Sequence, residues 1–428
     1  MKNWALIFLI WPFGAFLLKL YGKFDSNSKF IIYAFAFIFG YNVVPTGHDI
    51  SSYKIKFEAI SNNYQINDLL LKIGSLYSDV SSDSQNSFSK KPDIYADVIA
   101  FLTITLSSNV QLFWGIVSLI YTILFVKVLE IAIKRKRILY EAFQVNAMVK
   151  YAVGIIMLSL VFVIPFSRGV AGVRFWTAYW LFIYAVLRID ETPKRNYSSY
   201  FYVLLTPLIH YTYIFPLVLF LLAKLRIISK VRNNSIVLIF LMVIVITLSQ
   251  VSFFSTSLAS VFEGNSDAIS GSASSYLTED RISGNSSKGS SAVNWYVSLN
   301  YYGFQLVIGA MYLLLLVFGR IRSDSYIDRL TFLFFLIFLI TIPLNVTYHR
   351  FNYIFISLVL FECLKYFSSN VKLIYRGVFL LAPFVLLRVL VHLRVDLYFL
   401  DVKTTVGNVF FLLISDSYLS VSEFLIGH

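Results

Sequence analysis

Apolar runs separated by short polar or basic stretches recur along the whole of this chain. Trp4–Leu18, Leu112–Val126 and Phe332–Leu344 carry no charged residue and approach the ~20 residues that a helix needs to span hydrocarbon. The pattern predicts an all-α polytopic membrane protein, one integral domain over 1–428 with about 10–12 transmembrane helices, outer-side loops and candidate re-entrant helices. The first apolar run lacks a small-residue cleavage site and is followed by Lys19, Lys23 and Lys29, so it reads as a retained helix and not a signal peptide.

Two runs depart from simple crossings. Ile94–Ser107 is apolar but too short to span, and it reads as an interfacial or re-entrant helix at the end of the first outer loop, 46–109. Ser198–Ala223 is long enough to cross once, yet both its flanks are basic, and Pro207 and Pro216 interrupt it. Two readings stand there: a hairpin that returns to its own side, or a single crossing that puts the Lys224–Arg232 cluster outside.

Charge sets the frame for these runs. The segment Thr46–Asp93 has 5 Lys against 6 Asp/Glu, whereas Lys127–Lys150 has 6 Lys/Arg against 2 Glu. With one span between them, the positive-inside rule places the first outside and the second inside. The same parity puts the N-terminus outside. It puts Lys19–Lys29, Arg188–Asn196, Lys224–Asn234, Arg320–Arg329 and Lys365–Arg376 inside, and the Ser/Gly-rich loop Thr256–Asn294 outside.

Composition narrows the class. The chain is 58% hydrophobic and 14% charged, against about 25% charged in soluble domains. Its net charge of +13 borders membrane helices and fits anionic lipid head groups better than nucleic acid. The single cysteine, Cys363, excludes an intramolecular disulfide and any multi-Cys metal site. No P-loop, dinucleotide glycine pattern, H-E-x-x-H or G-x-S-x-G is present.

The candidate chemistry lies in cations placed inside helices or at their outer ends. Arg168 occupies the tight turn Ile164-Pro165-Phe166-Ser167-Arg168-Gly169, and Arg174 follows on the next helix. His349 and Arg350 sit at another outer turn, among Tyr348, Phe351 and Tyr353. Arg388 and His392 share a helix face, with Arg394 beyond and Asp396 as its neutralising partner. Such cations cost about 2.5–3.5 kcal/mol at a helix centre and call for an anion; planar guanidinium suits phosphate. His349 could take a proton from an attacking hydroxyl. Asp49, in Gly47-His48-Asp49 with Tyr53 four residues on, could be a general base, orient a sugar hydroxyl or hold a cation. His210 lies mid-run between the two prolines. Each has a structural alternative: snorkelling for Arg168 and Arg174, an aromatic belt at 348–353, turn chemistry for Asp49, a bundle hydrogen bond for His210.

In order, Gly47-x-Asp49 with Tyr53, Ser167-Arg168-Gly169-x-Ala171, Leu208-Ile209-His210-Tyr211-Thr212 and Arg350-Phe351-x-Tyr353 resemble the EpsG-like branch of the Wzy oligosaccharide repeat-unit polymerases, over roughly residues 40–355. The family's arginine turn often reads Arg-Gln, and Gly169 stands here instead. The resemblance implies a bacterial cytoplasmic-membrane glycosyltransferase of the GT-C type, active on the outer face without nucleotide sugar. Donor and acceptor would be oligosaccharides on undecaprenyl pyrophosphate, with no cofactor and no metal. Membrane lipids and a chain-length-regulating membrane protein are the further partners. The resulting expectation gives pyrophosphate to Arg168 and Arg350, with Arg174 and Arg388 in support, and the catalytic roles to Asp49, His349 and His210. The competing readings are a lipid-linked oligosaccharide flippase or transporter, an O-antigen ligase and a membrane O-acyltransferase.

Overall fold

The computed structural model describes residues 2–21, 24–44, 48–63, 94–142, 147–192, 197–233, 299–318, 325–341, 349–367, 371–415 and 418–426. All regular elements among them are helical, apart from one isolated bridge between Asp401 and Ser420. The protein is an all-α polytopic membrane protein. Three stretches are long and apolar enough to cross a bilayer by themselves: Val110–Glu141, Ala147–Ala171 and Val371–Phe399.

In chain order the first helices are α1 (Lys2–Ile10), α2 (Pro12–Tyr21), α3 (Ser26–Tyr41), α4 (His48–Asn63), α5 (Tyr95–Ile104) and α6 (Val110–Ala142). They are followed by α7 (Ala147–Val161), α8 (Phe166–Ala171), α9 (Val173–Glu191), α10 (Tyr197–Ile209), α11 (Ile214–Leu222) and α12 (Arg226–Asn233). The last group is α13 (Phe304–Phe318), α14 (Tyr326–Thr341), α15 (His349–Lys365), α16 (Val371–Phe399), α17 (Val402–Val406), α18 (Val409–Ile414) and α19 (Val421–Ile426). The Ser/Gly-rich loop 256–294 and most of 46–93 lie outside the described residues.

Helix α3 starts on Asp25, whose carboxylate accepts the Ser28 N–H at 2.7 Å and the Ser28 hydroxyl at 2.8 Å, satisfying an orphan donor of the first turn. It runs antiparallel to α6: Lys29 pairs with Glu130 at one end, and Gly40 meets Trp114 and Ser118 at the other. A Cβ on Gly40 would stand 2.3 Å from the Trp114 carbonyl oxygen, so the two backbones touch only because residue 40 has no side chain.

Helices α6, α9 and α15 run parallel to one another. Phe125 lies 5.0 Å from Trp180 and Arg135 3.0 Å from Asp190. Between α9 and α15, Phe175 faces Phe351 at 6.0 Å, Trp176 faces Tyr353 at 5.4 Å and Asp190 meets Lys365 at 3.1 Å. Their C-terminal ends join an ionic network: Arg135–Asp190–Lys365, then Lys365–Asp328 at 3.8 Å and Arg232–Asp328 at 3.8 Å, with the Tyr366 hydroxyl donating to Asp328 at 2.6 Å. One end of the bundle thus gathers residues from the basic segments around 134, 190, 230, 328 and 365. The opposite end carries Arg168, Arg174 and Arg350.

The first apolar run is not one span. Pro12 breaks it, and Lys19 lies over the Trp4 ring at 4.1 Å from its centroid, whereas a straight helix would hold residues 15 apart some 22 Å from each other. Helices α1 and α2 therefore fold back on each other, and the chain starts at the Lys19 end, not across the membrane from it. The Trp11 indole at the apex donates to the Thr405 carbonyl at 2.6 Å.

The stretch 198–223 is a hairpin. Tyr200 and Phe220 rings are 5.9 Å apart and Lys224 lies over Tyr200 at 4.8 Å, so α10 leaves the ionic end and α11 returns to it. Pro207 has no N–H for the Val203 carbonyl, and the Thr206 hydroxyl takes that acceptor at 2.7 Å. Helix α5, ten residues and about 15 Å long, packs beside α4, α6, α9 and α10. Its leading Ile94 N–H donates to Leu208 at the apex of the hairpin, 3.4 Å away.

Candidate functional site

The site grows out of the turn between α7 and α9. Helix α7 ends with the Phe162 and Val163 carbonyls unpaired within the helix. Arg388 of α16, 1% exposed, donates to both, through Nε to Phe162 at 2.8 Å and through Nη2 to Val163. Two turns along α16, Asp396 accepts from the Ser167 N–H at 2.9 Å and from the Ser167 hydroxyl. A buried arginine and a carboxylate on one helix thus grip the turn from both sides and present Arg168 beyond it, exposed. Gly169 lies against Tyr121, whose hydroxyl would stand 2.2 Å from a Cβ. A side chain at 169 would require the buried Tyr121 to move.

A second cluster forms around Phe175. The Arg350 guanidinium lies over the Phe175 ring at 5.3 Å, close enough for cation–π attraction. The His210 ring meets the same phenyl edge-on at 5.4 Å, and Tyr213 packs at 5.3 Å. His210 caps the turn Tyr211–Tyr213: its Nδ1 is 2.8 Å from the Thr212 hydroxyl. Arg174, half-buried, lies over Tyr53 of α4 at 5.7 Å. The apex of the hairpin is what brings His210 to this level.

The arginines fall into different environments. Arg168 and Arg350 are both exposed and make no ion pair among the described residues. Arg388 is buried and bonded to backbone, which makes it a positioning group for the turn. Asp396, expected beside Arg394, accepts from Ser167. Asp49 lies in the first turn of α4, one turn before Tyr53, and His349 is the first residue of α15; the side chains of both are outside the described residues. The roles of Phe175 and Asp396 were not legible in the sequence. An aromatic next to Arg174 looks like any core aromatic, and the Asp396–Ser167 contact joins residues 229 positions apart. Among the described residues no group of three His, Cys, Asp or Glu comes together.

The EpsG family model matches residues 29–400. The chain belongs to the EpsG family. The matched span covers every helix from most of α3 to the end of α16, and so holds both arginine clusters of this EpsG-family protein. No curated protein and no solved structure matches the chain.

Proposed function

We propose that this protein polymerises oligosaccharide repeat units carried on undecaprenyl pyrophosphate, at the outer face of a bacterial cytoplasmic membrane. Membership of the EpsG family supports a role in polysaccharide polymerisation. The observation that carries the finer reading is the pair Arg168 and Arg350. They are exposed guanidiniums at one end of the bundle, without a carboxylate partner among the described residues.

The leaving group in this reaction is a polyprenyl pyrophosphate, on which negative charge grows as the glycosidic bond to the donor breaks. Arginines already in place stabilise that charge without reorganisation. The parallel N-termini of α9 and α15 add positive potential on the same side. Arg174 reinforces the field, and Arg388 acts through the turn it holds. The acceptor hydroxyl loses its proton to Asp49 or His349, and His210 at the hairpin apex completes the catalytic set. Apolar helix faces hold the prenyl chains.

The test is glycan chain length in a strain that lacks its own polymerase. Arg168→Ala and Arg350→Lys, expressed at wild-type levels, should leave single repeat units on the lipid carrier. Long polymer from both variants would sink the assignment. Loss of acetyl groups with normal polymer length would favour an O-acyltransferase instead.

A further inference from the structure

We propose that His392 is a phosphate-contacting residue, forming an anion subsite with Arg168 at the site end of α16. The proposal rests on the reading of this end of the protein as a pyrophosphate site, and it adds a residue to which that reading gives no role.

His392 is 4% exposed, and no hydrogen bond among the described residues reaches its Nδ1. A buried polar atom left unpaired costs about 1–3 kcal/mol, so such atoms call for an explanation. The neighbours restrict what could satisfy it. Arg388 is one turn earlier on α16 and bonded to the Phe162 and Val163 carbonyls. Arg168 follows Ser167 in the turn that Asp396 holds, one turn further along α16, and the Phe162 ring lies 6.4 Å from the imidazole. Asp396, one turn further on, is held by the Ser167 N–H and hydroxyl. An imidazole presents at least one N–H in any protonation state. With that N–H on Nδ1, beside the Arg388 guanidinium, the group that complements it is an anionic oxygen. The exposed Arg168 gives that oxygen a path from the surface, and a second oxygen of the same phosphate can take the guanidinium.

The ligand class is a phosphate or pyrophosphate ester. The experiment uses the full chain in nanodiscs of zwitterionic lipid, with farnesyl pyrophosphate as the binding probe and phosphatidylglycerol as competitor. His392→Phe should weaken farnesyl pyrophosphate about tenfold or more, the loss of one charge-assisted hydrogen bond. His392→Asn, whose amide places a donor near Nδ1, should stay within about threefold of wild type. Both variants should unfold at the wild-type temperature. Equal affinity for His392→Phe and wild type would overturn the proposal. So would a lowered unfolding temperature shared by both variants, which marks a packing role, or phosphatidylglycerol displacing the probe at equal concentration, which marks a site for bulk lipid. His392-dependent binding in a protein that makes no polymer would remove the polymerase reading and leave the subsite. Polymer formation with His392→Phe binding the probe normally would do the reverse.

Discussion

Residues of one type can be told apart only by what surrounds them, and the arginines here show it. Arg168 and Arg350 are exposed and meet no carboxylate among the described residues, whereas Arg388 ends on two carbonyls inside the bundle. Substitution should separate them by the kind of defect. Arg168→Ala should lower the polymerisation rate by about 10²-fold or more, the usual loss when one stabilising donor is removed, with the unfolding temperature unchanged. Arg388→Met leaves two buried carbonyls unsatisfied and should lower the unfolding temperature of the detergent-purified protein. Each lost bond to a charged donor is worth about 1.5–3 kcal/mol. Gly169→Gln should fail for steric reasons, because any Cβ there meets Tyr121; a co-substitution Tyr121→Ala that restores expression would confirm the cause. The positions of Arg168 and Arg350 could be read from the chain because membrane insertion makes a cation in an apolar run conspicuous. The duty of Asp396 could not, since its partner Ser167 lies on another helix and nothing local announces it.

The elements differ in how far hydropathy describes them. A run's length and polarity show that it is helical and membrane-embedded, which α6 and α16 obey. They do not show whether the run turns back. Pro12 and Pro207 sit in similar apolar contexts, and each lies next to a reversal, while Pro383 lies inside the uninterrupted α16. The difference lies in tertiary partners: the returning arm α11 is held at the ionic end by the Tyr326 hydroxyl on the Phe220 carbonyl and by Arg329 on the Ala223 carbonyl at 2.6 Å. The ionic network belongs to this scale too, since it fixes the C-terminal ends of the same α9 and α15 whose N-terminal ends carry the site. Arg135 and Asp190 are only 11% and 10% exposed. Removing one partner of such a pair costs about 3–5 kcal/mol. Asp190→Ala should therefore lower the unfolding temperature sharply, and Asp190→Ala with Arg135→Met should recover part of the loss. A double variant no better than the single would show that the pair is not coupled.

Across the whole molecule, the described basic segments collect at one end and the candidate site at the other. This is the separation that the charge of the loops anticipates for an inserted membrane protein. The two ends of the chain lie apart as well. Helix α1 begins beside Lys19, whereas α16 carries the chain to the site end, where Val44 donates to the Phe399 carbonyl at 3.1 Å and Tyr418 contacts Gln111. The native Cys363 is fully buried, so single cysteines introduced at Lys2 and at Phe424 should react with a membrane-impermeant maleimide from opposite faces. Labelling from the same face would contradict the α1–α2 reversal. That reversal was hidden from the sequence because one proline in an apolar run is compatible with a kinked span and with a turn alike.

The hairpin of α10 and α11 also has a bearing on how the protein is made. At 13 and 9 residues, its arms measure about 20 and 14 Å, each short of the ~30 Å hydrocarbon layer. Neither arm can be threaded across the bilayer as an independent unit during synthesis. The pair enters together, from the side it leaves and returns to, and its apex is covered by α5, α9 and α15, through Ile94 on the Leu208 carbonyl, Phe175 beside His210, and Phe351 at 6.3 Å from Tyr213. The His210 corner of the site therefore needs partners from both sides of it in the chain, α5 and α9 before it and α15 after it.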